Sequence, residues 1–484
     1  MPDTPAAATM PVPLGVHADS GDFEQPIDRG AMRALRTKGP GGSLSQGIIK
    51  AKAESNEAHL GIVGGDMVAE DLAQAGWAVL YGPSVSEAIK QELKPLLEHR
   101  KNEVESGEFF KVFEDYQPGQ SAAEWLATPP RNATMQVVDP ANGVPFYVLI
   151  VASPEEISFE FQYELDLYWG VGRLWFSTPE EFGCYAKSVI DYEKAAEITT
   201  SRQLALFGTH QEFDEASKVL YANVFDPWIQ GHFGQRQKFA LQLFMGADAT
   251  KDKLRGLWSG EAPGGTPALL FTGSHGLLRA PDSKHLIETQ GALLCQDWPG
   301  GPAKADHYYA ARDLPANTKV HGMIHFLFAC YGGGWPRFDT YKRDENGDGI
   351  PIAPSPMLAR LPQALLGREN GALAVLGHVD KAFGYSYSTK GQPQNQGFRD
   401  VLIKLMNGYR LGNATDQFNF RWAALSTELL KGIDSLKTGD GRFTQSQVAN
   451  LWVARDDARN YMLHGDPAVR LRVKDMPPVA AIAT

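Results

Sequence analysis

The sequence predicts an α/β protein whose parallel or mixed sheet is covered by helices on both faces. Three observations carry that reading. Apolar runs of about five to seven residues recur, as in Trp77-Ala78-Val79-Leu80-Tyr81 and Pro145-Phe146-Tyr147-Val148-Leu149-Ile150-Val151. They lack the alternation of a half-exposed strand, as strands buried on both faces do. Between such runs lie segments with apolar residues at helical spacing, and strands alternating with helices imply crossover-connected parallel pairing. The composition supports a large core, since 43% of the 484 residues are hydrophobic and 21% charged, ordinary values for a folded chain.

The balance of charge narrows the partners. A formal net charge of -11 argues against a nucleic-acid or anionic-membrane surface. Cys184, Cys295 and Cys330 are too few and too scattered for a disulfide framework or a thiolate zinc site, so a reducing, cytoplasmic compartment is expected. Met1 to Ser20 shows no basic stretch followed by an apolar leader core, and no apolar stretch approaches the roughly 20 residues that span a bilayer.

Taken in order, residues 1–57 are rich in Ala, Pro and Gly without sustained periodicity and read as a flexible N-terminal arm. Arg33, Arg36 and Lys38 stand just before the break Gly39-Pro40-Gly41-Gly42, where a processing cut after a basic residue is conceivable. Residues 58–248 form a first α/β unit. In it, Val68 to Ala75 reads as a short helix, Trp77 to Tyr81 as a strand, Val85 to Arg100 as an amphipathic helix and Pro145 to Val151 as a strand. Ser177 is positioned to cap a helix running to Tyr192-Glu193, with Pro179 and two acids in its first turn. Gly170-Val171-Gly172 lacks the third glycine of a dinucleotide fingerprint and is a weak phosphate site. Residues 249–473 form the second unit, with a helix opening at Thr250 and apolar strands at Pro267–Gly273, Val320–Ala329 and Ala372–Gly377. A short helix at 358–366 and longer ones at 398–409 and 418–430 follow, and residues 474–484 are a Pro- and Ala-rich tail.

Two of those strands end in chemistry. The run into Phe328-Ala329-Cys330 breaks at Tyr331-Gly332-Gly333-Gly334, a loop expected to keep a cleft open beside the thiol. The run into Gly273-Ser274 breaks at His275-Gly276 in the same way. A lone histidine at a strand end is more often structural, but strand ends of one sheet can bring His275 and Cys330 into contact whatever their separation in sequence. The imidazole would then take the thiol proton and later protonate a leaving amine. The N–H groups of Gly276 and Cys330 are candidate oxyanion donors. Cys184 and Cys295 read as inert buried thiols.

These residues carry a resemblance. Phe271-Thr272-Gly273-Ser274-His275-Gly276 and Phe328-Ala329-Cys330 are similar to the dyad strands of gingipain-like cysteine peptidases (family C25, clan CD), which have the caspase fold. Val171-Gly172-Arg173 with the helix after it resembles the first subdomain of that family. Gly371 to Gly377 resembles the strand after the nucleophile, and Leu463-His464-Gly465-Asp466-Pro467 the end of the catalytic domain. The likeness spans about residues 60 to 471. It implies a three-layer α/β sandwich of two abutting subdomains with mostly parallel sheets. It also implies a cysteine endopeptidase acting through a thioester, with protein or peptide substrates and no required cofactor. The chain departs from the pattern in its long span between His275 and Cys330, which inserts Gln296-Asp297-Trp298-Pro299-Gly300-Gly301.

The resemblance further implies a carboxylate that orients the histidine, for which Asp166 is the best match and Glu164 the next. It places a pocket wall at His378-Val379-Asp380-Lys381-Ala382-Phe383-Gly384, where Phe383 stacks on the substrate. Asp380 or Asp297 would pair an Arg or Lys side chain before the cut bond, with Trp298 beside the pocket. Asp344-Glu345-Asn346-Gly347-Asp348-Gly349 matches half of a calcium loop. Ser355 stands where the loop needs Glu, so a surface turn is the favoured reading for Asp344, Asn346 and Asp348, and calcium the alternative. No H-E-x-x-H or G-x-S-x-G motif offers a rival chemistry. A regulated or inactive effector that binds an activating partner protein is the alternative function.

Overall fold

The computed structural model describes residues 10–39, 68–131, 133–134, 138–389 and 392–477. Its centre is one sheet of ten strands: β1 (Trp77–Tyr81), β2 (Phe110–Phe113), β3 (Tyr147–Val151), β4 (Gly170–Leu174), β5 (Ser201–Gly208), β6 (Ala240–Met245), β7 (Pro267–Gly273), β8 (Ile324–Phe328), β9 (Ala374–His378) and β10 (Tyr461–His464). They lie in the order β2-β1-β3-β4-β10-β9-β8-β7-β5-β6. Every neighbouring pair is parallel except β9 and β10. Strands β1, β3, β4, β7, β8 and β9 are buried along their whole length, as the uninterrupted apolar runs require.

Helices cover both faces. Successive strand residues point to opposite sides, and β8 shows this directly. The Phe326 ring packs against Phe398 and Phe418, which belong to the helices Gln396–Met406 and Asp416–Thr438. The next ring back, His325, faces Trp258 at the end of the helix Lys251–Trp258. The architecture is therefore the three-layer, mostly parallel α/β arrangement expected from the sequence.

The sheet consists of a four-stranded and a six-stranded half. They join where β10 meets β4 through one residue pair, His464 with Arg173. Buried polar groups brace this joint: Arg100 Nε donates to Asp466 Oδ2 at 2.6 Å, Trp77 Nε1 donates to Asp466 Oδ1 at 2.9 Å, and the Tyr185 hydroxyl accepts from the Asp466 N–H at 2.6 Å. The weak glycine motif has its explanation here, because a Cβ at Gly172 would stand 2.1 Å from the Gly465 carbonyl oxygen. Close backbone approach, not phosphate, demands that glycine.

Three expectations change. The six-stranded half already begins at β5, after the helix Pro179–Lys194, so the division falls near residue 200 and not at 248–249. That helix is capped by Thr178 and not Ser177, through a capping box with Glu181. The N-terminal arm is not loose throughout. Pro13 to Val16 are buried, Gly15–His17 pairs in parallel with the strand Gly276–Leu278, and Arg29–Lys38 is a helix capped by Asp28. The helix carries Arg33, so a cut there requires local unwinding. Residues 1–9 and 40–57 of the arm and 478–484 of the tail lie outside the described residues. Among the described residues no helix is long and apolar enough to cross a membrane.

Candidate active site

The two candidate residues, Cys330 and His275, occupy equivalent places on neighbouring strands. Phe328 of β8 pairs in register with Gly273 of β7, and two positions beyond each come Cys330 and His275. Parallel neighbours lie about 4.8 Å apart, so the register brings both residues to one edge of the sheet. Gly276 then presses on the Cys330 backbone so closely that a Cβ there would stand 1.8 Å from the Cys330 carbonyl oxygen.

This approach aims two N–H groups at one point. Gly276 N–H donates to the Leu14 carbonyl oxygen at 2.9 Å, and Cys330 N–H donates to the same oxygen at 3.0 Å. A pair of backbone donors converging on one carbonyl, with a thiol on one of them, is the geometry that stabilises a tetrahedral oxyanion. Leu14 N–H in turn donates to the Ala382 carbonyl at 2.9 Å, and the Ala382 N–H lies 3.1 Å from the Cys330 sulfur. The thiol is fully buried. Burial, with lesser contributions from Glu24 and Asp380, pushes its pKa well above the ordinary value, against the opposing Ala382 N–H.

His275 is held from the other side by a residue that sequence reasoning did not single out. Its Nε2 lies 2.7 Å from Asp214 Oδ2, and both side chains are buried. Its Nδ1 is buried and has no hydrogen-bond partner among the described residues. Asp214 is fixed because it caps the helix Glu215–Leu220, accepting from the N–H groups of Ala216 and Ser217. Burial alone would raise its pKa, but the His275 ring, Ser217 and the Ala216 N–H outweigh burial and hold it below the ordinary carboxylate value. The sequence signal is an Asp at a helix start just beyond β5, the neighbour of β7 in the sheet.

Asp166 does not reach the dyad. β4, which follows it, stands four places from β7 in the sheet, about 19 Å at the usual strand spacing. Its carboxylate accepts from Val171 N–H and from Asn419, and Glu164 accepts from Ala122 N–H. The expected pocket residues are also engaged elsewhere. Asp297 accepts from Lys251 N–H at 2.7 Å at the start of a helix. Asp380 accepts from Thr340 and from the N–H of Lys381, and burial beside Asp339 raises its pKa to about 6 against Lys381. Phe383 meets Tyr341 edge to face in a cluster that includes Ala31 and Leu35 of the N-terminal helix. Trp298 packs on Phe23, whose ring lies 5.3 Å from that of His275.

The glycines after Cys330 serve packing more than openness. Gly333 and Gly377 meet backbone to backbone, where a Cβ on either would clash, and Gly334–Trp335 forms a short strand with Met357–Leu358. Asp344, Asn346 and Asp348 form the turn of the hairpin Phe338–Arg343 and Gly349–Pro351, with one Asp344 oxygen accepting from the N–H groups of Asn346 and Asp348.

No protein-family model and no curated protein matches the sequence. Solved structures similar to the chain include the Arg-specific cysteine proteinase gingipain R, at 13% identity and a TM-score of 0.47 over 84% of this chain and 79% of that one. A structure described only as a protease has 13% identity and a TM-score of 0.48 over 82% and 78%. The complex of the pro- and mature domains of the Porphyromonas gingivalis proteinase RgpB has 12% identity and a TM-score of 0.44 over 82% and 80%. Likenesses this distant carry no argument for chemistry, which rests on the geometry above.

Proposed function

We propose that the chain is a cysteine peptidase in which Cys330 is the nucleophile, His275 the general base and acid, and Asp214 the residue that orients His275. The single observation carrying this reading is the convergence of the Gly276 and Cys330 N–H groups on one carbonyl oxygen beside the thiol. His275 Nδ1 takes the thiol proton, and the sulfur attacks the substrate carbonyl carbon. The resulting oxyanion accepts both N–H bonds, and the amine leaves with the proton from His275. Water then attacks the thioester with His275 as base, which releases the acid and restores the thiol.

The expected preference for Arg or Lys before the cut bond loses its carriers, since Asp297 and Asp380 already have partners. A reading as a regulated effector awaiting an activating partner draws on the same site, because the thiol is buried, and burial raises its pKa, while the cleft is filled. Three free cysteines fit the reducing, cytoplasmic setting proposed for it. The test is alkylation by peptidyl chloromethyl ketones read by mass spectrometry. Label on Cys330, lost in His275→Ala, is the expected result; a chain that stays unlabelled with the cleft opened is a binding protein and no enzyme.

A further inference from the structure

The segment in the cleft lies as a substrate lies. Leu14 presents its carbonyl to the two donors and its N–H to Ala382, and its side chain is fully buried in the main apolar cluster, which also holds Tyr331, Val379 and Ala382. Beyond Leu14 the chain passes directly over the nucleophile: a Cβ at Gly15 would stand 3.1 Å from the Cys330 sulfur, so glycine is what the close passage admits. Gly15–His17 continues as a strand along Gly276–Leu278. A turn then returns the chain, with Val16 bridged to Phe23 and the Glu24 N–H donating to the Gly15 carbonyl at 2.9 Å. Phe23 covers His275, and the buried Glu24 carboxylate pairs with Lys381 at 3.0 Å and Lys342 at 2.7 Å. Residues on both sides of one peptide bond are thus gripped while that bond crosses the thiol.

We propose that the Leu14–Gly15 bond is this enzyme's own substrate, cut in cis by Cys330, and that the side chain its primary pocket takes is leucine-like: branched and apolar. The inference rests on the peptidase reading and deepens it. The sulfur bonds to the Leu14 carbonyl carbon, the Leu14–Gly15 C–N bond breaks, and the Gly15 amine leaves with the proton held on His275. Water then hydrolyses the thioester, freeing the peptide that ends at Leu14. Gly15 to Glu24 stays anchored by its strand pairing and by the Glu24 ion pairs, so the cut opens only the side of the cleft where the next substrate places its own apolar residue. Until the cut, the segment excludes other chains.

The full chain, incubated in reducing buffer near neutral pH, is followed by intact mass and N-terminal sequencing, with an acyl-leucyl chloromethyl ketone reporting on Cys330. A new terminus at Gly15 is expected in the wild type and none in Cys330→Ala. Leu14→Met is expected to be cut within about threefold of the wild-type rate, and Leu14→Arg at least about 100-fold more slowly, because a buried cation replaces an apolar side chain. In Leu14→Asp, which unseats the segment, the ketone is expected to label Cys330 on the order of tenfold faster than in the uncut chain. A wild type that labels at Cys330 and hydrolyses peptides yet keeps Leu14–Gly15 intact overturns the inference and leaves the peptidase standing, as does Leu14→Arg cut as fast as wild type. Absence of label in every variant, Leu14→Asp included, removes both.

Discussion

Cys330 and Cys295 are alike by every local measure. Both are fully buried, both follow apolar residues, and burial raises the pKa of both thiols. They differ in what surrounds the backbone. The Cys295 N–H is spent on the His307 carbonyl at 2.8 Å, and its sulfur lies 3.6 Å from the Leu293 carbonyl. The Cys330 N–H points, together with that of Gly276, at a carbonyl brought in from a distant segment. A thiol becomes a candidate nucleophile through donors placed for its product and not through its own burial or acidity.

The sharpest break between the two is substitution. Cys330→Ala is expected to abolish peptide hydrolysis, a loss of at least about 10³-fold, whereas Cys295→Ala leaves kcat/KM within about twofold and costs about 1–2 kcal/mol of stability in urea titrations. Loss of activity in the second variant would erase the distinction. Next come the two carboxylates. Asp214→Asn is expected to lower kcat/KM on the order of 10²- to 10³-fold with little change in Tm, because the His275 ring loses its orienting charge. Asp166→Asn is expected to leave kcat/KM alone and to lower stability by about 1–2 kcal/mol through its bonds to Val171 and Asn419.

The smallest expected effects are on stability and metals. His325 and His464 are buried, and burial lowers each pKa to about 3, below the roughly 6.5 of an unfolded chain. Between those values the unfolded chain binds more protons. Stability is therefore whole above about pH 6.5 and falls as pH drops toward 3, by about 1.4 kcal/mol per unit for each ring. His325, which faces Trp258 and through it Tyr309 on the Cys295 side of the sheet, is expected to act on Tm alone: His325→Gln should flatten the acid limb between pH 6 and 4 and leave kcat/KM at pH 7.5 within about twofold. Exchanging calcium for EDTA is expected to change neither activity nor Tm, since the Asp344 carboxylate is already engaged in its own turn.

The sequence was most informative where physics is local. Apolar runs located β1, β3, β7, β8 and β9, and the shared context of His275 and Cys330 placed them two positions beyond a register pair of neighbouring strands. It failed where a residue has one explanation nearby and another far away. Asp214 is accounted for as a helix cap, and only the fold shows that its second oxygen reaches His275, 61 residues on. The strand Gly15–His17 spans three residues, too short for a periodicity, and its partner lies at Gly276–Leu278 on the far side of the chain. Asp166 erred in the opposite way, since an order of motifs along a sequence does not carry the distance across four strand spacings.

One feature of the sheet bears on timing. β10 is the last strand of the described chain, yet it sits between the two halves, with β4 on one side and β9 on the other. Chains emerge from the ribosome at about 5–20 residues per second, and domains fold as units when their parts are available. Every other strand, together with His275, Asp214 and Cys330, has been made before Tyr461 to His464 can fill that gap and Asp466 can brace the joint. A nascent chain therefore carries His275, Asp214 and Cys330 on strands that can already pair with one another, while the two halves of the sheet are still unjoined.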